Sequence, residues 1–209
     1  MSKKIIAVVG AGGKTKYNKN KAKEFLAQGK KVFVTTTTHM MKETDTCVSD
    51  DADEIIKELL EKKYVMAGRD CGEKIQLLSE ETYLKVCEAC DVVLVEADGS
   101  RHLPVKFPAE HEPVIPENVN EIVVVCGLHG LERPASEVVH RLEMAKKEMQ
   151  LADDEVVKPI HVQELLKKGY LEPLRDKYEN KVVKIEPNAG EDMYRRALAG
   201  LLRDEQDVS

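Results

Sequence analysis

The sequence predicts an α/β fold, a P-loop-like, doubly wound and mostly parallel sheet with helices on both faces. Three observations carry this. Short runs rich in Val and Ile alternate with longer amphipathic segments. Most of the short runs are continuously apolar, as strands covered on both faces are. A glycine-rich turn ending in Lys-Thr separates the first such run from the first helical segment.

Strands are expected over residues 4–9 (KIIAVV), 31–35 (KVFVT), 91–95 (DVVLV), 121–126 (EIVVVC) and 181–185 (KVVKI). Helices are expected over 17–28, 52–63, 80–89, 162–168 and 191–202. In the second helix Ile55, Ile56, Leu59 and Leu60 recur at helical spacing among acids and lysines. Gly29 and Gly169 follow helical runs as C-terminal stops. Residues 64–78 read as two short strands forming an insertion. Residues 103–116 differ in kind: Pro104, Pro108, Pro113 and Pro116 exclude a helix or a central strand. A long loop of this sort after a strand is either functional or a surface excursion over a sheet edge. With no internal repeat or low-complexity linker, residues 1–209 are expected to form a single nucleotide-binding domain.

Bulk properties exclude several classes. A net charge of −6 argues against a general nucleic-acid binder, and 4% aromatic residues without Trp argue against a base-stacking platform. No apolar run reaches the length of a membrane span. Met1-Ser2-Lys3-Lys4 runs straight into IIAVV, so no secretory leader is expected and the location is expected to be cytoplasmic. Five irregularly spaced cysteines then read as reduced thiols.

The turn itself reads VVGAGGKT. Gly10, Gly12 and Gly13 let backbone N–H groups turn inward around phosphate oxygens. The next helix aims its positive end at the same anion. Lys14 can reach the β- and γ-phosphates of ATP or GTP, and the Thr15 hydroxyl can bind Mg²⁺. The full G-x-x-x-x-G-K-[ST] pattern is not met, because Val8 stands where its first glycine belongs. Lys14 is expected at an exposed strand rim. Lys16, Lys19, Lys21 and Lys23 follow it, with Asn18 and Asn20 among them, and only Tyr17, Ala22, Phe25 and Leu26 offer an apolar stripe. A solvated, poorly packed helix start explains these lysines better than attraction of a polyanion.

The strand at 91–95 ends in Glu96-Ala97-Asp98-Gly99-Ser100-Arg101. Acids just beyond a buried strand can hold Mg²⁺ while nucleotide phosphates complete its shell. Glu96 and Asp98 share a face if the extended conformation persists. Lys14, Glu96 and Asp98 are therefore the candidate catalytic residues, and Thr15, Glu96 and Asp98 the candidate metal ligands. Thr35, Thr36, Thr37 and Thr38, followed by His39, end the second strand on the same rim; threonine also simply favours strands. Cys87-Glu88-Ala89-Cys90 is a C-x-x-C that can bind metal or selenium, or can be an ordinary helix end. His140-Arg141 can present a cation to phosphate or cap a helix.

Four stretches carry a family resemblance: GAGGKT (10–15), VTTTTHM from residue 34, VLVEADGSRHLPVKFPAEHEPVIP (93–116), and CGLHGLERP with VHRLE up to Glu143. Here the chain resembles the YqeC-type accessory proteins of selenium-dependent molybdenum hydroxylases. The resemblance implies a P-loop-like fold and work in maturing a molybdenum enzyme or handling its cofactor. It implies a nucleotide role for Gly10, Gly12, Gly13, Lys14 and Thr15 and a metal role for Glu96 and Asp98. Ser100, Arg101, Pro108, Glu110, His111 and Glu112 belong to a signature loop of unassigned role. Two departures stand out: the lysine-rich 16–23 segment, and Asn188-Ala189-Gly190-Glu191-Asp192, which lacks the Lys of a guanine-reading N-K-x-D. Three readings stay open: an NTP-binding accessory protein with slow NTPase activity, a phosphoryl or nucleotidyl transferase acting on a small cofactor, and a metal, selenium or cofactor carrier docking on the hydroxylase through Cys87, Cys90 or His111.

Overall fold

The structure is a computed structural model that describes residues 3–149, 151–190, 192, 196, 198, 199 and 202. The chain forms two compact units. The first holds the described residues up to Val8 together with Thr15–Asp98 and Val114–Glu121; the second holds Val9–Lys14, Gly99–Pro113 and the described residues from Ile122 onward.

The first unit runs through β1 (Lys4–Gly10), α1 (Lys14–Ala27), β2 (Val32–Thr36), β3 (His39–Met41), β4 (Thr46–Val48), α2 (Ala52–Lys62), β5 (Tyr64–Cys71), β6 (Lys74–Gln76), α3 (Glu80–Ala89) and β7 (Val92–Glu96). Its strands β1, β7, β2 and β5 lie side by side in that order, all parallel. β4 adds in parallel to β5, whereas β5 turns back into β6 and β6 into β3 as antiparallel pairs. The sheet is thus mixed but mostly parallel. Every residue of β2 and β7 is buried, as the continuous Val-rich runs predict. The expected insertion at 64–78 is the β5–β6 hairpin, turning at Gly72.

Local signals explain the helices. Asp51 caps α2, its carboxylate accepting from the backbone N–H of Asp53 and Glu54, and Ser79 caps α3 through the N–H of Thr82. In α2 the buried stripe is Ala52, Ile55 and Leu59, while Leu60 is 58% exposed, so the expected stripe is one residue too wide. α1 starts at Lys14 rather than at residue 17, because the glycine turn leads directly into it. It buries Lys14, Asn18 and Ala22, each four residues from the next and therefore on one face. Gly29 follows α1 with φ of 76°, as a C-terminal stop should.

The second unit contains β8 (Val105–Lys106), β9 (Glu121–Gly127), α4 (Ala135–Val138), β10 (Val139–His140), α5 (Leu142–Glu148), α6 (Pro159–Leu166), α7 (Glu172–Lys177) and β11 (Val182–Asn188). β9 neighbours β11, and β8 pairs in parallel with β10. The 103–116 loop is therefore irregular except for the two residues of β8. Gly169 is not a helix stop. It lies in a wide turn, Lys167–Leu171, that joins α6 to α7 without a break. A Cβ there would come within 2.9 Å of the Pro108 ring, so close packing is the reason for glycine. The helix expected over 191–202 falls largely outside the described residues. No helix among the described residues is long and apolar enough to cross a membrane.

Candidate functional site

The glycine turn is built by the second unit. Gly10 has φ of 92°, and a Cβ on it would sit 2.1 Å from the Val125 carbonyl oxygen. That oxygen already accepts the Ala11 N–H at 2.8 Å. Gly12 has φ of 74°, and its Cβ would fall 2.4 Å from the Pro104 oxygen and 2.5 Å from the Gly127 Cα. Both neighbours are backbone and are tied to each other, Gly127 N–H donating to Pro104 O at 2.8 Å. Only glycine meets both demands, left-handed backbone and no side chain. Asn188 completes the turn by donating from Nδ2 to the Gly12 carbonyl at 2.8 Å. It serves the loop in this way and does not stand as the reader of a base.

Lys14 opens α1 and is 4% exposed, not on an exposed rim as expected. Its ammonium folds back to donate to the Gly10 carbonyl at 2.7 Å, which shelters the whole side chain. The signature loop reaches this turn at its Pro104 end, and His129 packs its ring beside Gly127.

Further along the loop, a buried ion network ties it to β10 and α5. The Lys106 side chain is 0% exposed and bridges Glu112 at 2.6 Å while donating to the Gly99 carbonyl at 2.6 Å. Arg141, at φ of 62°, grips the same carboxylate with both terminal nitrogens, Nη2 to Oε1 at 3.0 Å and Nη1 to Oε2. Burial opposes ionisation of Glu112, yet hydrogen bonds from Arg141 and Lys106, with their charges, hold its pKa at about 2. His140 is pushed below its usual range by burial and then by Arg141, Lys106 and Arg101. Arg141 thus neither caps α5 through its side chain nor stands ready for phosphate; it secures the loop. Lys106 has no warning in the sequence, since a lysine between Val105 and Phe107 reads as a surface position. Arg101 and His102 are exposed and both left-handed, at φ of 49° and 63°. Ser100 is half-buried, Glu110 and His111 are exposed, and Pro108 packs against Gly169.

The acids belong to the first unit. Val8, Glu96 and Thr36 stand in register across β1, β7 and β2, at the carboxyl ends of these parallel strands. Ligands of parallel α/β sheets gather at that edge. Thr36 Oγ1 and the Thr37 N–H both donate to the Glu96 carbonyl, at 2.8 and 3.0 Å. Beyond β7 the ladder continues for one residue, with Ala97 N–H on Val8 O and Val114 N–H on Ala97 O, both 3.0 Å. Thr37 Oγ1 donates to Val114 O at 2.7 Å, so the far end of the signature loop also closes on this edge. Thr35 Oγ1 instead donates to Ala67 O at 2.8 Å and is structural. Glu96 is 8% exposed and Asp98 0%. Thr15 is exposed in the first turn of α1, and His39 is exposed in β3.

Cys87 and Cys90 lie buried at the end of α3, with Cys90 Sγ donating to the Cys87 carbonyl at 3.3 Å. Burial raises both thiols, Cys90 to about 12, which disfavours the thiolate that metal binding or redox chemistry requires. Among the described residues no three His, Cys, Asp or Glu side chains gather as a metal cage.

A sequence model of the YqeC protein family matches residues 6–143, which include the glycine turn, the strand-end acids and the signature loop. The chain is also similar to the uncharacterized protein YqeC of Escherichia coli strain K12, at 36% identity over 146 residues. The match covers 66% of this chain and 57% of that protein, so the chain spans little more than half of its relative's length.

Proposed function

Since the chain belongs to the YqeC family, we propose that it is a P-loop-like protein that binds a nucleoside triphosphate with Mg²⁺ in the service of molybdenum-hydroxylase maturation. The observation that carries the nucleotide reading is the glycine turn. Gly10 and Gly12 are held in left-handed conformations where no Cβ fits, directly before a lysine that opens a 14-residue helix. Such a turn points backbone N–H groups at one locus and adds the positive end of a helix, which is an anion cradle.

In this reading Gly10, Gly12 and Gly13 hold the phosphates, and Lys14 leaves the Gly10 carbonyl to meet them. Two buried acids, Glu96 and Asp98, with the Thr15 hydroxyl, are the side chains that would hold Mg²⁺. When bound, the ion would neutralise phosphate charge. The protein's own part is to orient the phosphates with backbone amides and to offer Lys14 as a charge-assisted donor, the requirements of slow NTP hydrolysis. The link to a selenium-dependent molybdenum hydroxylase rests on the sequence resemblance of the signature loop alone.

The test is a calorimetric screen of ATP, GTP and CTP with and without Mg²⁺. Saturable binding that strengthens with Mg²⁺ is expected. Absence of binding to all three under both conditions would refute the proposal.

A further inference from the structure

Asn18 is the anomaly of helix α1. It is 3% exposed, and neither its carboxamide oxygen nor its nitrogen has a hydrogen-bond partner among the described residues. A carboxamide carries two donor hydrogens and an acceptor oxygen, and burying all of them unmet is costly. It lies on the face that buries Lys14 and Ala22. An unmet buried amide calls for a partner beyond the side chains around it.

Helix geometry indicates which way that purpose lies. Asn18 is four residues beyond Lys14, so the two share a face. Helical side chains lean toward the N-terminus and cover the turn before their own Cα. Asn18 therefore covers the turn that Lys14 opens, the positive end of α1.

We propose that Asn18 is a further ligand-binding residue, whose carboxamide engages the hydrated metal–phosphate group at the start of α1. This rests on the nucleotide reading above. Mg²⁺ retains several of its waters, and those waters present only donors, whereas phosphate oxygens present only acceptors. Asparagine serves both from two separate atoms: Oδ1 accepts from a metal-bound water and Nδ2 donates to a phosphate oxygen. Being neutral, it does so without adding charge.

The experiment compares wild type with Asn18→Leu and Asn18→Ala. Thermal midpoints are measured without ligand, and affinities for ATP and GTP are measured by calorimetry with Mg²⁺ and with EDTA. Asn18→Leu should melt at or above wild type, since an apolar group of similar shape replaces an unmet amide. Both variants should bind the Mg²⁺–triphosphate about tenfold more weakly, with a smaller loss in EDTA. The alanine variant keeps the test valid if leucine is not accommodated. Wild-type affinity in either folded variant would overturn the role of Asn18 and leave the nucleotide reading standing. A wild-type protein that binds neither nucleotide would overturn both.

Discussion

The Lys14 ammonium donates to the Gly10 carbonyl at 2.7 Å, inside the loop that both residues belong to. One partner of the cation proposed to meet a phosphate is thus a neutral oxygen four residues back. A phosphate oxygen is the stronger partner because its bond is charge-assisted.

Gly12→Ala should destabilise the protein by about 2 kcal/mol or more, from the left-handed backbone and the backbone atoms that a Cβ would strike. Gly72→Ala is the control, because Gly72 has φ of 67° but open space around it. Urea unfolding should show a clearly lower midpoint for the first variant and only a small shift for the second. Equal midpoints would mean that the turn relaxes and that its shape is not fixed by Pro104 and Gly127.

Glu112→Gln should cost about 3 kcal/mol, because Lys106 and Arg141 would both lose the Glu112 carboxylate. The wild-type contribution has a definite pH window. A carboxylate held at about 2 against an ordinary 4.5 adds stability that is complete above 4.5 and is lost as pH falls toward 2. Stability curves between pH 7 and 2 should therefore fall more steeply for wild type than for the variant. Parallel acid limbs would show that the network contributes nothing to folding.

Asp98→Asn should weaken the Mg²⁺ dependence of nucleotide binding more than it lowers the melting temperature, as a metal ligand should. Asp98 is fully buried, so a purely structural carboxylate would show the opposite balance. Superimposable Mg²⁺ titrations of the two proteins would assign it to structure.

The start of α1 should gain order on binding. Among its first two turns only Lys14 and Asn18 are buried, and no acid stands in its first turn to match the helix dipole. Amide exchange over residues 12–21 should be fast in the free protein and slow with Mg²⁺–nucleotide. Strong protection that nucleotide leaves unchanged would contradict this.

Much of the fold was legible because burial on both faces leaves a direct trace. The runs at 4–9, 31–35, 91–95 and 121–126 became β1, β2, β7 and β9 within a residue or two. The place of the glycine turn between a strand and a helix, and of Glu96 at a strand end, was legible as well, since both are set by chain order. What escaped depends on distant partners. Lys106 is buried with Glu112 and Gly99 among its partners, and both come from the folded loop. Asn188 reaches Gly12 across 176 residues of sequence, and no local pattern encodes that contact. Gly169 resembled a helix stop because the proximity of Pro108 that requires it is not written nearby. The exposure of Leu60 shows a limit of periodicity, which finds a stripe but not its width.

The central claim is that Lys14 and the glycine turn bind the phosphates of a nucleotide. Titration calorimetry of wild type and Lys14→Met with Mg²⁺–ATP and Mg²⁺–GTP tests it most directly, since methionine keeps the buried stem of Lys14 and removes only the ammonium. The account predicts saturable binding by wild type and a loss of about 1.5–3 kcal/mol in the variant, a ten- to hundredfold weaker affinity. Equal affinities in two equally folded proteins would contradict it.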